Sequence, residues 1–344
     1  MQDKKWKERS IRDIAQAAGV GVSTVSRVLN RSGYVAPETE NRIREVIRRF
    51  HYTPSAMARG LRKNKIPVIG VLIPDITGEF YNSLLLTLQQ ALYAEKYLMM
   101  IINTNKQHDI ASFYEGIGTS MNLSGWIFCG MDQPNVLKGV PTVYIGNFPE
   151  GAHRENACAV DSDNEHGGYL AARELMDCGC KRIATITDGR YPLSFNNRYK
   201  GYVRALEEAG IPLRQELVVS TKWVDYENGY LAAKNLLERA GDVDGIFCAA
   251  DRYLPGVLTA LEEMGKKTPE DVQVVGFDGL PISRWTGDGC TTIRQQIGPL
   301  AEAAADCLLR LMGGEKLDAQ RPLIPVSLVR RSTTVQRQTS VTLP

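Results

Sequence analysis

The chain of 344 residues lacks the long apolar runs of membrane proteins and the histidine and cysteine clusters of metal sites. No apolar run approaches the roughly 20 residues that a membrane span needs, and charged residues rather than a signal-peptide core follow its start. The four histidines are too far apart for a zinc motif: His51, His108, His153 and His166. Seven cysteines without CxxC spacing suit reduced, buried thiols. We expect a cytoplasmic protein with no membrane span, no metal and no cofactor.

Sequence motifs of catalysis are missing as well. The chain contains no GxSxG, no Walker lysine motif and no nucleophile paired with a base. We therefore expect a protein that is not an enzyme, with a Rossmann-type enzyme as a distant alternative.

Positive charge is concentrated at one end of the chain. Residues 1–65 hold 15 Lys and Arg against 6 Asp and Glu, whereas the remaining residues hold 26 against 33. A basic terminus is often only a solvated tail, but this one also carries helical periodicity, which a tail does not need. The charge distribution therefore favours a folded module that binds phosphate backbones.

The segment AAGVGVSTVSRVLN, residues 17–30, is compatible with two structures. Gly19 and Gly21 suit either a phosphate-binding loop or a turn between two helices, and a phosphate loop requires a preceding strand. The preceding apolar residues instead recur on one helix face: Ile11, Ile14, Ala15 and Ala18. Ser10 and Asp13 fit a capping box, and Gly19 fits the left-handed position after a helix. The pattern predicts a helix, a tight turn and a second helix.

Two more helices complete the predicted N-terminal module. The second helix has the apolar stripe Val25, Val28 and Leu29. A third helix, from about Pro37 to Phe50, has the apolar stripe Ile43, Val46, Ile47 and Phe50. Three small helices with a glycine turn between the first two are typical of a helix-turn-helix domain.

The segments IRDIAQAAGVGVSTVSRVLN and YVAPETENRIREVIRRFHYTPSAMARGL resemble the DNA-binding headpiece and hinge of the LacI/GalR (lactose-repressor) family of bacterial transcription regulators. The resemblance implies major-groove contacts from Val22, Ser23 and Arg27, and phosphate contacts from Thr24, Ser26 and Asn30. Arg27 can offer a bidentate fork to guanine, whereas Ser23 and Thr24 could simply cap the helix. Ala36 departs from the family, which often has a capping hydroxyl before Pro37.

Residues 53–66 resemble the hinge helix of the same family. The helix-compatible part is too short and polar to be stable alone, so we expect it to fold on DNA beside a partner. The resemblance implies that Leu61 wedges into the minor groove at the centre of a pseudo-palindromic site. The resemblance implies further DNA contacts from the same segment: Ser55, Ala58, Arg59 and Arg62. The alternative is an ordinary linker helix with a surface leucine.

From Pro67 onward, apolar strands alternate with amphipathic helices, which predicts parallel sheets covered on both faces. Strands are predicted at 67–74, 97–103, 125–129, 141–145, 157–160, 182–187, 217–220, 245–249, 272–277 and 291–293. Helices are predicted near 80–95, 109–122, 165–178, 197–209, 226–239, 252–264 and 298–312. We expect two doubly wound subdomains with a ligand site in the cleft between them, at the carboxyl ends of the strands.

The stretches IPDITGEFY, VDSDNEHGGYLA, FNNRYKGYVRAL, AADRYLPGVLTALEEMG, VQVVGFDG and TTIRQQI resemble the family's effector-binding core, which is related to periplasmic sugar-binding proteins. The resemblance implies that Arg198, Asp278 and Gln295 hydrogen-bond to sugar hydroxyls beside an aromatic wall of Phe80 and Tyr81. Further candidates are Asn147, Asp161, Trp223 and Asp251, with Val224 as the alternative to Trp223.

These candidates have structural alternatives. Asp161 and Asp278 could cap a helix or turn, Arg198 could be an exposed helix residue, and Phe80 and Tyr81 could belong to the core. The chain also has Gly146-Asn147 and Ala250-Asp251 where relatives often carry more polar pairs. The identity of the ligand therefore does not transfer from any one family member.

Together, the sequence predicts a DNA-binding transcriptional repressor that acts as a homodimer on double-stranded, pseudo-palindromic operator DNA, under allosteric control by a small carbohydrate. The predicted parts are an all-α headpiece (1–52), a hinge (53–66), a periplasmic-binding-protein-like α/β core (67–334) and a tail (335–344). The core's first subdomain spans about 67–163 and 294–323, and its second about 164–293 and 324–334. A nucleobase or phosphorylated sugar is the alternative effector, and a solute-binding protein is a distant alternative that the basic headpiece disfavours.

Overall fold

The computed structural model describes residues 10–30, 32–50, 52, 66–104, 123–130, 139–146, 148, 155–189, 192–318 and 323–336. The chain divides into two compact units, residues 1–67 and residues 68–344. The predicted helix near 109–122 lies outside the described residues, as does the hinge segment 53–65.

The N-terminal unit contains the helices α1 (Ile11–Ala18), α2 (Val22–Asn30) and α3 (Pro37–Arg49). The capping box of α1 is confirmed, because the backbone N–H of Ser10 donates to Asp13 Oδ2 at 2.7 Å and the N–H of Asp13 donates to Ser10 Oγ at 3.3 Å. Gly19 ends α1 with φ 65°, the left-handed conformation that glycine adopts without a Cβ clash. A helix precedes Gly19, so the phosphate-loop interpretation is excluded.

The predicted apolar stripes of these helices meet in one small core. Its buried members are Ile14, Ala15, Ala18, Val25, Val28 and Ile43, with Ile11, Leu29, Val46, Ile47, Phe50 and Tyr52 partly buried around them. Helix α3 starts without a side-chain cap at Ala36, and Pro37 occupies its first turn, where no N–H partner is needed.

The first sheet of the core has the strands β1 (Ile66–Ile73), β2 (Leu98–Asn103), β3 (Leu123–Cys129), β4 (Thr142–Ile145) and β5 (Ala157–Val160), in the order β2-β1-β3-β4-β5. The pairs β1–β2, β3–β4 and β4–β5 are parallel. Two helices, α4 (Glu79–Ala94) and α10 (Ile297–Met312), pack their leucines and alanines into the apolar core of this sheet.

The second sheet has the strands β6 (Ile183–Asp188), β7 (Val218–Thr221), β8 (Gly245–Cys248), β9 (Gln273–Asp278), β10 (Thr291–Gln295) and β11 (Val326–Val329), in the order β11-β10-β9-β8-β6-β7. Only the pair β10–β11 is antiparallel among these described strands. One face carries α5 (Asn164–Asp177) and α6 (Pro192–Glu208); the other carries α7 (Tyr226–Arg239) and α8 (Leu254–Glu263). A short helix, α9 (Pro281–Trp285), follows β9.

Three described segments connect the two sheets: residues 161–163, Gln296, and residues 323–325. The first and third are hydrogen-bonded to each other, because the N–H of Asp163 donates to the carbonyl of Ile324 and the N–H of Ile324 donates to that of Asp161, both at 2.8 Å. The two halves of the core are thus joined by adjacent strand-like crossings, an arrangement that suits bending between the two halves.

All seven cysteines are free and buried, as predicted. Within the described part of the chain, no helix is both long and apolar enough to cross a membrane. The same residues contain no group of three or more histidine, cysteine, aspartate or glutamate side chains that could hold a metal ion.

Candidate functional site

The exposed face of α2 carries the three side chains predicted to contact bases. Val22 is 36% exposed, and Ser23 and Arg27 are also exposed, whereas Thr24 and Ser26 are half-buried. Asn30 ends α2, with its side chain outside the described part. The hinge candidates also lie outside the described residues: Ser55, Ala58, Arg59, Leu61 and Arg62.

Tyr34, on the loop between α2 and α3, was missed by the sequence analysis. Its side chain is 85% exposed, which is unusual for a large aromatic residue in so small a domain. The ring lies outside the apolar core of the headpiece and is available to a partner. Its place in the short loop between α2 and α3 was the only sequence signal.

The topology of both sheets places a ligand site at particular strand ends. In the first sheet, β1 lies between β2 and β3, and its carboxyl end leads into Asp75 and Thr77. In the second sheet, β6 and β8 are neighbours whose connections run to opposite sides, and they end near Asp188 and Asp251. Ligands of open α/β sheets bind at such switch points.

Arg198 lies at the centre of this region. Its side chain is almost fully buried, with Nε donating to Asn164 Oδ1 at 2.9 Å and Nη1 donating to the carbonyl oxygen of Ala249 at 2.5 Å. Its Nη2 lies 3.3 Å from Asp278 Oδ1. Burial lowers the pKa of Arg198, and the charges of Asp278 and Asp161 oppose this effect. The interpretation of Arg198 as an exposed helix residue is therefore excluded.

Aromatic rings fix the plane of this guanidinium. Its Cζ lies 3.8 Å from the ring centroid of Phe277 and 4.8 Å from that of Phe195. Phe195 precedes Arg198 by three residues on α6, so both side chains lie on one helix face. Neither ring was among the predicted site residues, although the i, i+3 spacing of Phe195 and Arg198 was a usable sequence signal.

Asp278 ends β9 and joins the same cluster. Gln295 Nε2 donates to Asp278 Oδ1 at 2.8 Å, and both side chains are buried. Burial raises the pKa of Asp278, whereas Arg198 and Gln295 act to lower it. Asp278 has φ 122°, a strained backbone for a residue with a side chain, and such strain concentrates at ligand sites.

Asn164 links Asp161 to Arg198. Asp161 Oδ1 accepts from the N–H of Ser162 at 2.8 Å and from Asn164 Nδ2 at 2.9 Å, while Asn164 Oδ1 accepts from Arg198. The capping alternative applies to Asp163, whose side chain accepts from the N–H of His166 at the start of α5. Asp161 instead belongs to the buried polar cluster, and Asn164 was missed by the sequence analysis.

Asp251 lies beneath the cleft. It is completely buried and accepts from the N–H of Leu280 at 2.8 Å and from Thr292 Oγ1 at 2.6 Å. Burial raises its pKa well above the usual value. A Cβ at Gly276 would lie 2.3 Å from Asp251 Oδ1, so only glycine fits there. These contacts tie Asp251 to the turn after Asp278, which makes it a support for that turn.

Aromatic side chains of both subdomains complete the region. Phe80 and Tyr81, in the first turn of α4, are half-buried, with ring centroids 5.3 Å apart at 87°. Tyr81 is close enough to act on the pKa of Arg198, which it raises against the larger lowering by burial. Trp223 is half-buried with Lys222 Nζ 5.8 Å from its ring, while Val224 packs into the core beside α7. Trp223 is therefore the better candidate of the two, and Asn147 lies outside the described residues.

Close helix crossings position this cluster. A Cβ at Gly168 of α5 would lie 1.9 Å from the carbonyl oxygen of Arg198, and one at Gly201 of α6 would lie 1.9 Å from that of Glu165. A similar crossing joins α7 and α8, where a Cβ at Gly256 would lie 2.1 Å from the carbonyl oxygen of Tyr226. Gly168 lies in the stretch GGYLA and Gly201 in KGYVRAL, and no sequence pattern shows that the helices carrying them cross there.

Asp161→Asn is expected to change the pH dependence of stability. Burial raises the pKa of Asp161 from 3.8 to about 6. Asp161 therefore favours folding below about pH 4, and this contribution is lost as pH rises through about 6. At neutral pH its buried charge costs about 3 kcal/mol, at about 1.4 kcal/mol per pKa unit.

Asparagine keeps the acceptor oxygen without the charge, so the variant should gain stability relative to the natural protein between pH 4 and 7. Urea unfolding across this range measures the difference. A difference that stays constant with pH would contradict the assignment.

Comparisons with known proteins agree with this architecture. Residues 10–55 match the family model of bacterial regulatory proteins, lacI family, and residues 172–334 match that of the periplasmic binding protein-like domain. The Ribose operon repressor of Halalkalibacterium halodurans is 32% identical over 328 residues, covering 94% of this chain and 97% of the relative. The HTH-type transcriptional repressor PurR of Photorhabdus laumondii is 30% identical over 335 residues, covering 95% and 97%.

Solved structures share the fold. The complex of the transcriptional regulator CelR with cellobiose superimposes with a TM-score of 0.72 at 27% identity, covering 94% of this chain and 99% of CelR. The lac repressor dimer bound to operator and the anti-inducer ONPF has a TM-score of 0.83 at 21% identity, covering 96% and 100%. The predicted resemblance is confirmed, and both curated relatives are repressors rather than enzymes. The chain belongs to the LacI family of bacterial regulatory proteins.

Proposed function

We propose that the protein is a sequence-specific DNA-binding transcriptional repressor whose core binds a small carbohydrate in the cleft around Arg198. The observation that carries the ligand proposal is the buried Arg198 guanidinium, held in a fixed plane by Asp278, Asn164 and two aromatic rings. A carbohydrate presents adjacent hydroxyl groups, each both donor and acceptor. A fixed guanidinium beside a carboxylate and the Gln295 amide complements such pairs.

The aromatic residues support the same ligand class. Phe80, Tyr81 and Trp223 can cover the apolar face of a sugar ring. Among the related structures, CelR is in complex with cellobiose, and a LacI family regulator from Enterococcus faecium, with a TM-score of 0.69 at 26% identity over 79% of this chain and 100% of that chain, carries bound ribose. A nucleobase is the second candidate, because the edge-to-face pair Phe80 and Tyr81 also suits stacking on a flat ring.

On the DNA side, we assign base contacts in the major groove to Val22, Ser23 and Arg27. The exposed Val22 suits the methyl group of thymine, and Arg27 suits guanine. Phosphate contacts come from Thr24, Ser26, Asn30 and the exposed Tyr34, and Leu61 of the hinge enters the minor groove. Because its target is operator DNA, we place the protein in the cytoplasm.

We propose that the protein acts as a homodimer, which a pseudo-palindromic operator requires. Exposed apolar side chains support a self-association surface on the first subdomain. Helix α4 exposes Leu86 and Tyr93, and the edge strand β2 exposes Leu98 and Ile101. Such side chains on a helix and on a strand edge mark a surface that a partner covers. Binding of the effector would then change the arrangement of the two paired first subdomains and, with it, the position of the hinge segments 53–66. This is an allosteric coupling between the effector site and the DNA-binding site.

Selection of bound sequences from random duplex DNA tests the proposed function. We expect a pseudo-palindrome with a conserved G·C pair in each half-site. Arg27→Ala should lose about 1–3 kcal/mol of preference at that base pair, because one bidentate contact disappears.

The matched control is Arg48→Ala, which removes an equal charge from the exposed face of α3 rather than from α2. The control should leave the selected motif unchanged. Selection of no motif by the natural protein would overturn the assignment to sequence-specific DNA binding. An unchanged motif with Arg27→Ala would remove Arg27 from base recognition.

A further inference from the structure

One ion pair crosses the cleft between the two subdomains of the core. Arg252 Nη1 lies 3.1 Å from Asp75 Oδ2, and the two side chains are 28% and 13% exposed. Asp75 lies just beyond Pro74 after the end of β1 in the first sheet, whereas Arg252 lies in the 3-10 turn Asp251–Tyr253 after β8 of the second sheet. The pair therefore joins the two switch points at which the ligand site is formed.

The carboxylate of Asp75 and the backbone turn that carries Arg252 are both anchored. Asp75 Oδ1 accepts from the N–H of Thr77 at 2.9 Å and from its Oγ1 at 2.6 Å, which leaves Oδ2 directed at Arg252. On the other side, Asp251 anchors the 3-10 turn through its bonds to Leu280 and Thr292. A fixed carboxylate and an anchored backbone turn reduce the loss of conformational entropy that normally opposes such an ion pair.

A second contact crosses the cleft nearby. The backbone N–H of Ile282 in α9 donates to Glu79 Oε2 at 3.4 Å, a long hydrogen bond. Glu79 and Asp75 flank the turn that precedes Phe80 and Tyr81. The segment that carries the aromatic wall is therefore the same segment that is tied to the second subdomain.

We propose that Asp75 and Arg252 are positioning residues that hold the effector cleft closed and thereby set the affinity for the ligand without contacting it. This inference rests on the proposed function, because closure of the cleft is the step through which the proposed ligand acts. Open and closed forms of such proteins differ little in free energy, so one partly buried ion pair is enough to shift their ratio. Breaking it should favour the open form roughly three- to ten-fold.

Distances between spin labels on the two subdomains test this proposal in the absence of any ligand. Since all seven native cysteines are buried, exposed cysteines introduced by Glu302→Cys on α10 and Glu262→Cys on α8 can be labelled selectively. Labelled protein is mixed with an excess of unlabelled protein so that distances within one protomer dominate. With the Asp75–Arg252 ion pair intact, most of the labelled protein should show the shorter of the two label-to-label distances.

Two conservative variants break the ion pair. Asp75→Asn keeps an acceptor oxygen for Thr77, and Arg252→Gln keeps much of the aliphatic stem. Each variant should raise the ratio of the longer-distance population to the shorter one roughly three- to ten-fold. The double variant should raise it no further than either single variant, because both substitutions remove the same interaction. High salt should shift the natural protein in the same direction and leave the variants unchanged.

The matched control is Arg182→Gln. Arg182 pairs with Asp242 at 2.7 Å, and its side chain is 26% exposed, similar to the 28% of Arg252. Both partners of this control pair lie in the second subdomain. It should not change the distance distribution. The proposal is overturned if Asp75→Asn and Arg252→Gln leave the distances unchanged, if the control shifts them equally, or if the two shifts add. The DNA selection described above is independent of this readout, so the two proposals can fail separately.

Discussion

Arg198→Ala is expected to abolish the response to the effector and to destabilise the core. The guanidinium lies 3.3 Å from Oδ1 of the buried Asp278 and also packs against the rings of Phe195 and Phe277. Removal of one partner from a buried ion pair costs about 3–5 kcal/mol, because the other charge stays buried without compensation. The ligand would also lose the donors that define its orientation.

Two measurements separate these effects. Thermal shifts across a panel of sugars, sugar phosphates and nucleobases report binding, because a ligand of the folded state raises its apparent stability. Urea unfolding reports the destabilisation. Operator binding should persist at temperatures where the variant remains folded, since the headpiece has its own apolar core.

The double variant Arg198→Met with Asp278→Asn supplies the control for stability. It removes both charges together, so much of the lost stability should return, whereas the thermal shift with the effector should not. A ligand response retained by Arg198→Ala would remove Arg198 from the site. A response restored in the double variant would mean that Arg198 acts only through folding.

Gly168→Ala is expected to have the second large effect. The new Cβ would lie 1.9 Å from the carbonyl oxygen of Arg198, so α5 and α6 must separate. Overpacking of this kind typically costs 1–3 kcal/mol or more, and backbone atoms cannot move aside as side chains do. Since Arg198 lies at the crossing itself, its guanidinium would leave the plane set by Phe277. We expect lower stability in urea and a weakened thermal shift with the effector.

Gly298→Ala is the matched control for this substitution. Gly298 lies in the first turn of α10, and a Cβ there meets no described atom within 4 Å. Alanine is the better helix former by up to about 1 kcal/mol, so this variant should be neutral or slightly more stable. If Gly168→Ala behaved like the control, the close crossing of α5 and α6 would not position Arg198.

Sequence periodicity was sufficient for the headpiece. Ile11, Ile14, Ala15 and Ala18 recur at helical spacing, and the local signals Ser10, Asp13 and Gly19 act within one turn of chain. The alternating strands and helices of the core were predictable for the same reason, because buried parallel strands are continuously apolar. Strand β11 was missed because it is a four-residue edge strand of mixed polarity, VSLV, and α9 was missed because it has only five residues.

For the candidate site, family resemblance named Arg198, Asp278 and Gln295, which the fold brings together. It also named Asp251, which accepts a hydrogen bond from the N–H of Leu280 and so supports the turn after β9. Asn164 and Phe277 were missed, because their proximity to Arg198 arises from packing of α5 and β9 against α6. No spacing along the chain encodes those contacts.

The sequence by itself determined the helix-turn-helix, the α/β character of the core and the family, because each depends on local periodicity, capping or matching motifs. Only the tertiary structure decided which glycines touch backbone across helix crossings, which aspartate contacts Arg198, and that Asp75 meets Arg252 across the cleft. These contacts join residues far apart in the chain, at distances that depend on how the sheets and their helices pack. Local sequence patterns specify the elements, whereas the contacts between elements follow from the packing of the whole core.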